Sequence, residues 1–270
     1  MEKLTSSLIK SMAKEMGAEI VGIASVDRFK GAPEGHSPQD LMPQSRSVIV
    51  TGIRIPDPVV EYDTYHLKMK ETSQGALMES FYMLMGHYSI DMMLNTMAVK
   101  LANKIEINWG LRALPTPNTI NAGLGHSVRG AMVGFFSQRH AATRAGLGEF
   151  GFCGLVLTPQ FGPRVRLVSV ITEAELEPDP LITEKICQRG KCGGKDGPKC
   201  FQRCADSALQ LRDGIDLNAI FIDVPSRTDI SKCIRIGGEG PAGFACTFVG
   251  TCLRVCPTGM KVTKKNSDVK

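Results

Sequence analysis

The sequence predicts a mixed α/β fold, α+β in layout, divided into two consecutive domains. Three observations carry that expectation. Helical and strand-like periodicities alternate up to about residue 180, the pattern of a layered α/β domain. The stretch "EPDP" (177–180) then reads as a linker. Beyond it, eight of the nine cysteines fall between positions 187 and 256, and Cys153 alone precedes them. The expected division is an α/β domain over 1–180, a small cysteine module over 181–262, and a basic tail over 263–270.

The elements follow in order. Residues 5–17 place Leu8, Ile9, Met12 and Met16 near helical spacing, and "AEIVGIASV" follows as a short β-branched run bounded by Asp27. "SVIVTGIRI" (47–55) is a second strand, ended by the prolines of "IPDPVV". Residues 74–107 contain no proline and read as two helices interrupted at Gly86, with the methionines at 78, 83, 85, 92, 93 and 97 filling core. "GFFSQRHAATRAG" is a short helix closed by Gly146, since a glycine just past the last periodic residue is a common C-cap. "CGLVLTP" and "RVRLVSVIT" are two strands around the turn "PQFGP".

With 270 residues and 43% apolar composition, the chain can bury a substantial core. Its net charge of +5 is modest, and the tail "KVTKKNSDVK" supplies much of it, so no nucleic-acid partner is expected. The first residues mix acidic and basic side chains without a signal-peptide apolar core or a twin-arginine pair. No window approaches eighteen uninterrupted apolar residues. A cytoplasmic protein without a membrane span is the expectation. In a reducing compartment, eight clustered cysteines point to metal ligation rather than to four disulfides.

The spacing of those cysteines is informative. Bacterial ferredoxin motifs run C-x2-C-x2-C-x3-C-P, and the last cysteine of each serves the other cluster. Here the runs are Cys187-x4-Cys192-x7-Cys200-x3-Cys204 and Cys233-x12-Cys246-x5-Cys252-x3-Cys256-Pro257. Both read as stretched versions of that motif, with Ala205 in place of the first proline. The expected pairing puts Cys187, Cys192, Cys200 and Cys256 on one [4Fe-4S] cluster, and Cys204, Cys233, Cys246 and Cys252 on a second. Structural zinc is the alternative, because thiolate quartets bind it too. Zinc sites are usually built from two C-x2–4-C knuckles; these runs end in C-x3-C pairs, one followed by proline as in the ferredoxin motif, and no histidine lies among them. Cys153 falls outside both sets and reads as a small buried residue, though its place beside the glycine loop would let it touch a cofactor.

"GLGEFG" (146–151) matches G-x-G-x-x-G, but a dinucleotide fingerprint follows a strand and opens a helix. The order here is reversed. Two readings remain: a loop needing positive φ or close backbone packing, and a backbone that approaches a flat cofactor.

The segment "RAGLGEFGFCGLVLTPQFGPRVRLVSVITEAELEPDP" resembles the one shared by epoxyqueuosine reductases and reductive dehalogenases. There A-G-L-G, then L-[IL]-x-P-x-[FY]-G, then a strand precede a two-cluster module. "MGAEIVGIASV" and "HYSIDMMLNTMAVKLANKIEINWG" are similar to the N-terminal half of that family. The resemblance implies a nitroreductase-like domain holding a base-off cobalamin, followed by a ferredoxin-like domain with two [4Fe-4S] clusters, in an oxidoreductase that reduces a small molecule. An electron-transfer or corrinoid-reducing partner protein is the other reading. Cofactor-contacting residues expected on this resemblance are Gly146, Gly148, Glu149, Gly151, Gly162 and Arg164. The chain lacks D-x-H-x-x-G, consistent with a corrinoid that takes no histidine from the protein. Candidate proton donors are His140, in "FSQRHAA", and Tyr88; Tyr65 and Tyr82 are further candidates, and the glycine-bearing loop 117–127 with His126 reads as a cavity lid. Arg164 and Arg166 alternate with apolar residues and are expected to share one strand face.

Overall fold

The computed structural model describes residues 3–61, 82–118, 135–204, 207–233 and 251–259. Cys246, Tyr65, His126 and the basic tail lie outside the described residues. The chain divides into two compact units: Met1–Ile53 with Asp91–Leu147 and Arg166–Leu181, and Arg54–Ile90 with Gly148–Val165 and Ile182–Lys270. The last crossing falls beside the expected boundary. However, two earlier segments, 54–90 and 148–165, join the cysteine-rich unit rather than the layered one, which a division by sequence order could not foresee.

The first unit is built on a four-stranded sheet. Helix α1 (Ser6–Glu15) starts at Thr5, whose hydroxyl accepts the Leu8 amide, and buries Ile9, Met12 and Ala13. Strand β1 (Ile20–Ser25) pairs antiparallel with β2 (Ser47–Arg54) in the register Ile20 to Gly52 through Ser25 to Ser47. The sheet order is β1-β2-β6-β3, with β3 (Ala113–Thr116) antiparallel to β6 (Val165–Thr172). The fully buried side chains Ile9, Ile23, Ile49, Leu94, Leu101, Ile105 and Ile171 form its core. The short helix α2 (Pro38–Leu41) is closed by a capping box between Ser37 and Asp40.

The stretch read as a linker is pinned instead. Asp179 accepts the Ile23 amide, pairs with Lys10, and offers its carbonyl to Arg28 at 2.7 Å. Short α3 (Asp57–Val60) belongs to the second unit. Gly86, expected to separate two helices, lies inside a π-helical stretch, Tyr82–Ser89, that runs directly into α4 (Ile90–Trp109). A Cβ there would come within 2.9 Å of Tyr82 and Val59, so the glycine serves close packing rather than a break. Of the helix methionines, Met97 is buried, but Met85, Met92 and Met93 are exposed, contrary to the expectation of core. Helix α5 (Gln138–Arg144) is capped by Ser137 and packs near β1: a Cβ on Gly22 would collide with the Ala145 carbonyl. No helix among the described residues is long and apolar enough to cross a membrane.

Among the described residues, the second unit holds, besides α3, the hairpin β4 (Glu149–Phe150) and β5 (Val156–Leu157), a ribbon of β7 (Leu209–Leu211) and β8 (Ser226–Thr228), and three further short α-helices. These are α6 (Lys199–Gln202), α7 (Ile230–Cys233) and α8 (Thr251–Val255). Helices α6 and α8, one from each cysteine run, pack against each other.

Candidate metal centre

The cysteine loops are made from chain that does not fold by periodicity. Gly190, Gly194 and Gly197 take positive φ around Cys192, and Arg189, at φ 49, does so without being glycine. These turns bring separate thiols to one place. Cys187, Cys192, Cys200 and Cys256 line one small, largely apolar cavity together with Cys153, Gly190, Pro198 and Pro257. Three of the four come from the first cysteine run and one from the second. All described cysteines are free of disulfides.

The sulfur atoms receive backbone donors. Cys204 Sγ accepts the Ala208 amide at 3.2 Å. Burial pushes the Cys256 thiol up, while the amide and hydroxyl of Thr258 pull it back down. Contact with Cys153 raises the Cys252 thiol well above its usual range. The N–H···S contact at Cys204 and the Thr258 contacts at Cys256 favour the anionic sulfur, whereas burial and the Cys153 contact oppose it at Cys256 and Cys252. Among the described residues, no three His, Cys, Asp or Glu side chains converge as one metal ion requires; the four thiols of the first set line one cavity. A zinc ion gathers its thiolates at about 2.3 Å each, whereas a four-iron cluster spreads its four over separate irons. The donor set of the first four cysteines fits the cluster. In the second set, Cys204, Cys233 and Cys252 are half-buried.

Glu149 of the glycine motif holds the loop of this centre. Glu149 is fully buried, and both its oxygens are taken by the chain. Oε1 accepts the amides of Ile186 and Cys187 at 2.6 Å each, while Oε2 takes Arg189 Nη2 at 2.5 Å and the Phe221 amide at 3.2 Å. Arg189 lies over the Phe221 ring at 4.0 Å and donates to the Ala219 carbonyl. A carboxylate thereby fixes the backbone at the first ligand position. Glu149 was expected beside a cofactor; with its oxygens saturated it orients the Cys187 loop instead.

Gly162 and Arg164 act on the other end. Gly162, at φ 56, closes a tight bridge with Thr158, and a Cβ on it would strike the backbone of Thr258 and Gly259. Arg164 is fully buried. It pairs with Asp57 and Glu61 at 2.6 Å each, donates to the Arg254 carbonyl at 3.4 Å, and lies 3.0 Å from where a Cβ on Gly259 would be. Both residues brace the chain leaving Cys256. The expectation that Arg164 shares a strand face with Arg166 fails, because Arg164 precedes β6 and Arg166 pairs with Asp91. Gly148 abuts the Leu157 carbonyl, Gly151 contacts Leu157 and Cys153, and Gly146, at φ 71, abuts the Pro180 carbonyl. All six residues expected at a flat cofactor are therefore engaged by the protein itself.

The two candidate proton donors fall one in each unit. His140 is half-buried, and its Nδ1 meets Ser137 Oγ at 2.7 Å at the start of α5, where it completes the helix cap. Tyr88 is 42% exposed, with its ring 5.3 Å from that of His87. Sequence reasoning missed Asp57, Glu61 and Thr258, whose roles come only from neighbours distant in the chain.

No protein-family model matches the chain. Over 155 residues, 55% of the chain, it is 30% identical to a tetrachloroethene reductive dehalogenase of Sulfurospirillum multivorans, of which this covers 26%. Over 66 residues it is 39% identical to the enzyme of that name from Desulfitobacterium hafniense, covering 24% of this chain and 10% of that one. Its structure matches an epoxyqueuosine reductase solved with an epoxyqueuosine-modified tRNA-Tyr stem loop (TM-score 0.54, 18% identity, 94% of this chain and 65% of that chain). It also matches a reductive dehalogenase whose structure suggests a mechanism for B12-dependent dehalogenation (TM-score 0.54, 16% identity, 97% and 33%). The chain thus spans about a quarter of the length of the first of these curated relatives. The curated relatives are reductive dehalogenases and the solved structures include both reductive dehalogenases and epoxyqueuosine reductases, the resemblance read from the sequence, and the fold is the one these reductases share.

Proposed function

We propose that this chain is an iron–sulfur oxidoreductase that relays electrons through two [4Fe-4S] clusters to reduce a small molecule. The carrying observation is the single cavity lined by Cys187, Cys192, Cys200 and Cys256, because its four thiols are drawn from both cysteine runs as an interleaved two-cluster module requires. Cys204, Cys233, Cys246 and Cys252 would hold the second cluster. The protein's part is to fix the loops: Glu149 holds the Cys187 amide, and Arg164 and Gly162 hold the exit from Cys256. Cobalamin belongs to this reading on the likeness to the B12-dependent dehalogenase. When bound, it would supply a strong nucleophile and reductant at low potential.

A second reading, an electron-transfer or corrinoid-reducing partner protein, is favoured by one observation. Glu149 and Arg164, the polar residues expected at the cofactor, are occupied by the scaffold. Nucleic acid is not expected as a partner, although one structural neighbour is solved with a tRNA stem loop.

Anaerobic reconstitution followed by iron, zinc and corrinoid analysis tests these readings. About eight irons, four per cluster, with stoichiometric corrinoid support the enzyme. Eight irons without corrinoid affinity support the partner protein, and zinc in place of iron overturns both.

A further inference from the structure

We propose that an exposed collar of five cations along the first cysteine run, Lys185, Lys191, Lys195, Lys199 and Arg203, is the docking face for a small acidic protein that carries single electrons and reduces the first cluster. The docking rests on the two-cluster reading. Between positions 185 and 203 the chain places six cations against one acid, Asp196, a local surplus of five that equals the net charge of the whole chain. One of the six, Arg189, is turned inward to Glu149. The other five are exposed, and none of the ion pairs among the described residues takes one of them. Unpaired like charges on one small surface repel one another, a cost that an acidic partner removes.

Two packed segments hold the collar together. The 3-10 stretch Lys191–Asp196 carries Lys191 and Lys195, while α6 starts at Lys199 and is followed by Arg203. Gln202 of α6 donates to the Gly193 carbonyl at 3.2 Å and to the Gly197 carbonyl at 2.7 Å. A Cβ on Gly193 would lie 2.4 Å from the Gln202 side-chain nitrogen, so the two segments are in direct contact. These same segments supply Cys192 and Cys200 to the cavity of the first cluster, and Lys199 lines that cavity beside them. Cys187, Cys192 and Cys200 are only half-buried. The cations therefore surround a cluster position that lies close to the surface, where a docked carrier is within a short electron-transfer distance.

Charge and chemistry favour a protein over a nucleic acid. Single-stranded nucleic acids are held by aromatic platforms set in a basic groove. The aromatic residue of these segments, Phe201, packs on Phe152, which in turn packs on Phe221. Lysines around a redox centre match the small, charge-steered interfaces of electron-transfer encounters. In the encounter one electron leaves the carrier and enters the oxidised first cluster. With a flavodoxin as carrier, its anionic hydroquinone becomes the neutral semiquinone and no proton moves.

The full chain, reconstituted anaerobically, is mixed with flavodoxin hydroquinone in a stopped-flow spectrometer, with reduced methyl viologen as a donor that needs no acidic face. Lys185→Glu with Lys195→Glu reverses two collar charges, neither next to a cysteine. Lys100→Glu with Lys104→Glu makes the same change on exposed positions of α4 in the other unit. Wild-type reduction by flavodoxin should slow steeply as salt is raised, because steering contributes about 10–1,000-fold to association at low ionic strength. The collar variant should lose about tenfold or more of that rate at low salt, while its iron content and its reduction by viologen stay at wild-type values. Glutamine at the same two positions should fall between, and it carries the comparison if charge reversal disturbs iron content. The α4 variant should match wild type. A collar variant with the wild-type flavodoxin rate, an equal loss in the α4 variant, or a wild-type rate indifferent to salt overturns the docking. So does an RNA stem loop that binds wild type more tightly than flavodoxin does and is released by the collar variant. A wild-type chain that takes up no iron removes the two-cluster reading, and this docking with it; about eight irons with an indifferent collar variant removes the docking alone.

Discussion

At the scale of single residues, the chemistry of this molecule is arranged by charges that never reach solvent. Glu149 accepts three amides and one guanidinium group, so its loss frees the Cys187 loop and leaves Arg189 facing Phe221 without its carboxylate. Removing one partner of a buried ion pair costs about 3–5 kcal/mol. Glu149→Ala is therefore expected to lower the denaturation midpoint and to lose the first cluster while keeping the second. Iron assay and resonance spectra of the reconstituted variant measure this. Glu149→Gln, which keeps one acceptor oxygen, should lie between. Arg164→Met makes the parallel case at the other end: Asp57 retains Arg54 at 2.5 Å, but Glu61 loses the pairing with Arg164. That variant should weaken retention of Cys256 in the first cluster more than it affects secondary structure by circular dichroism.

At the scale of elements, turns rather than helices set the thiol positions. An L-residue in the left-handed region costs roughly 1–2 kcal/mol. Gly214, at φ 70, has open space around its Cβ position, whereas Gly162, at φ 56, faces the backbone of Gly259. Gly214→Ala should therefore cost about 1 kcal/mol, the backbone term alone. Gly162→Ala should cost clearly more and also reduce iron content, because the chain behind Cys256 must move. Paired urea titrations and iron assays separate the two effects. The cap of α5 is a contrasting local device: Ser137→Ala should cost about 1 kcal/mol without changing iron content, since it acts within the other unit.

At the scale of the whole molecule, Cys256 of the second cysteine run lines one cavity with Cys187, Cys192 and Cys200 of the first, as the proposed interleaved pairing requires. Cys256→Ser is expected to deplete the cluster served by Cys187, Cys192 and Cys200. Cys204→Ser should deplete the other, although Cys204 follows that same first run. Spectra of the two single variants should differ in which cluster signal is lost; matching losses would refute the pairing.

Much of this organisation was legible in the chain. β-Branched runs placed β1, β2 and β6, because alternation and burial leave a local trace at every second residue. C-x3-C spacing marked the thiols, since a ligand must be a cysteine wherever the fold puts it. The reach of "GLGEFG" was not legible, because a glycine's neighbour across space leaves no mark nearby. Only the tertiary structure showed that Gly148 abuts Leu157, that Glu149 serves Cys187, and that Arg164 serves the turn after Cys256. Nor could sequence order place 148–165 with the cysteine unit. The sequence by itself determined the element types and where the cysteines cluster, which depend on side-chain identity and short periods. Tertiary structure decided which loop each buried charge secures and which thiols share a cavity, because those contacts join residues up to about a hundred positions apart, as in Arg164 and Asp57.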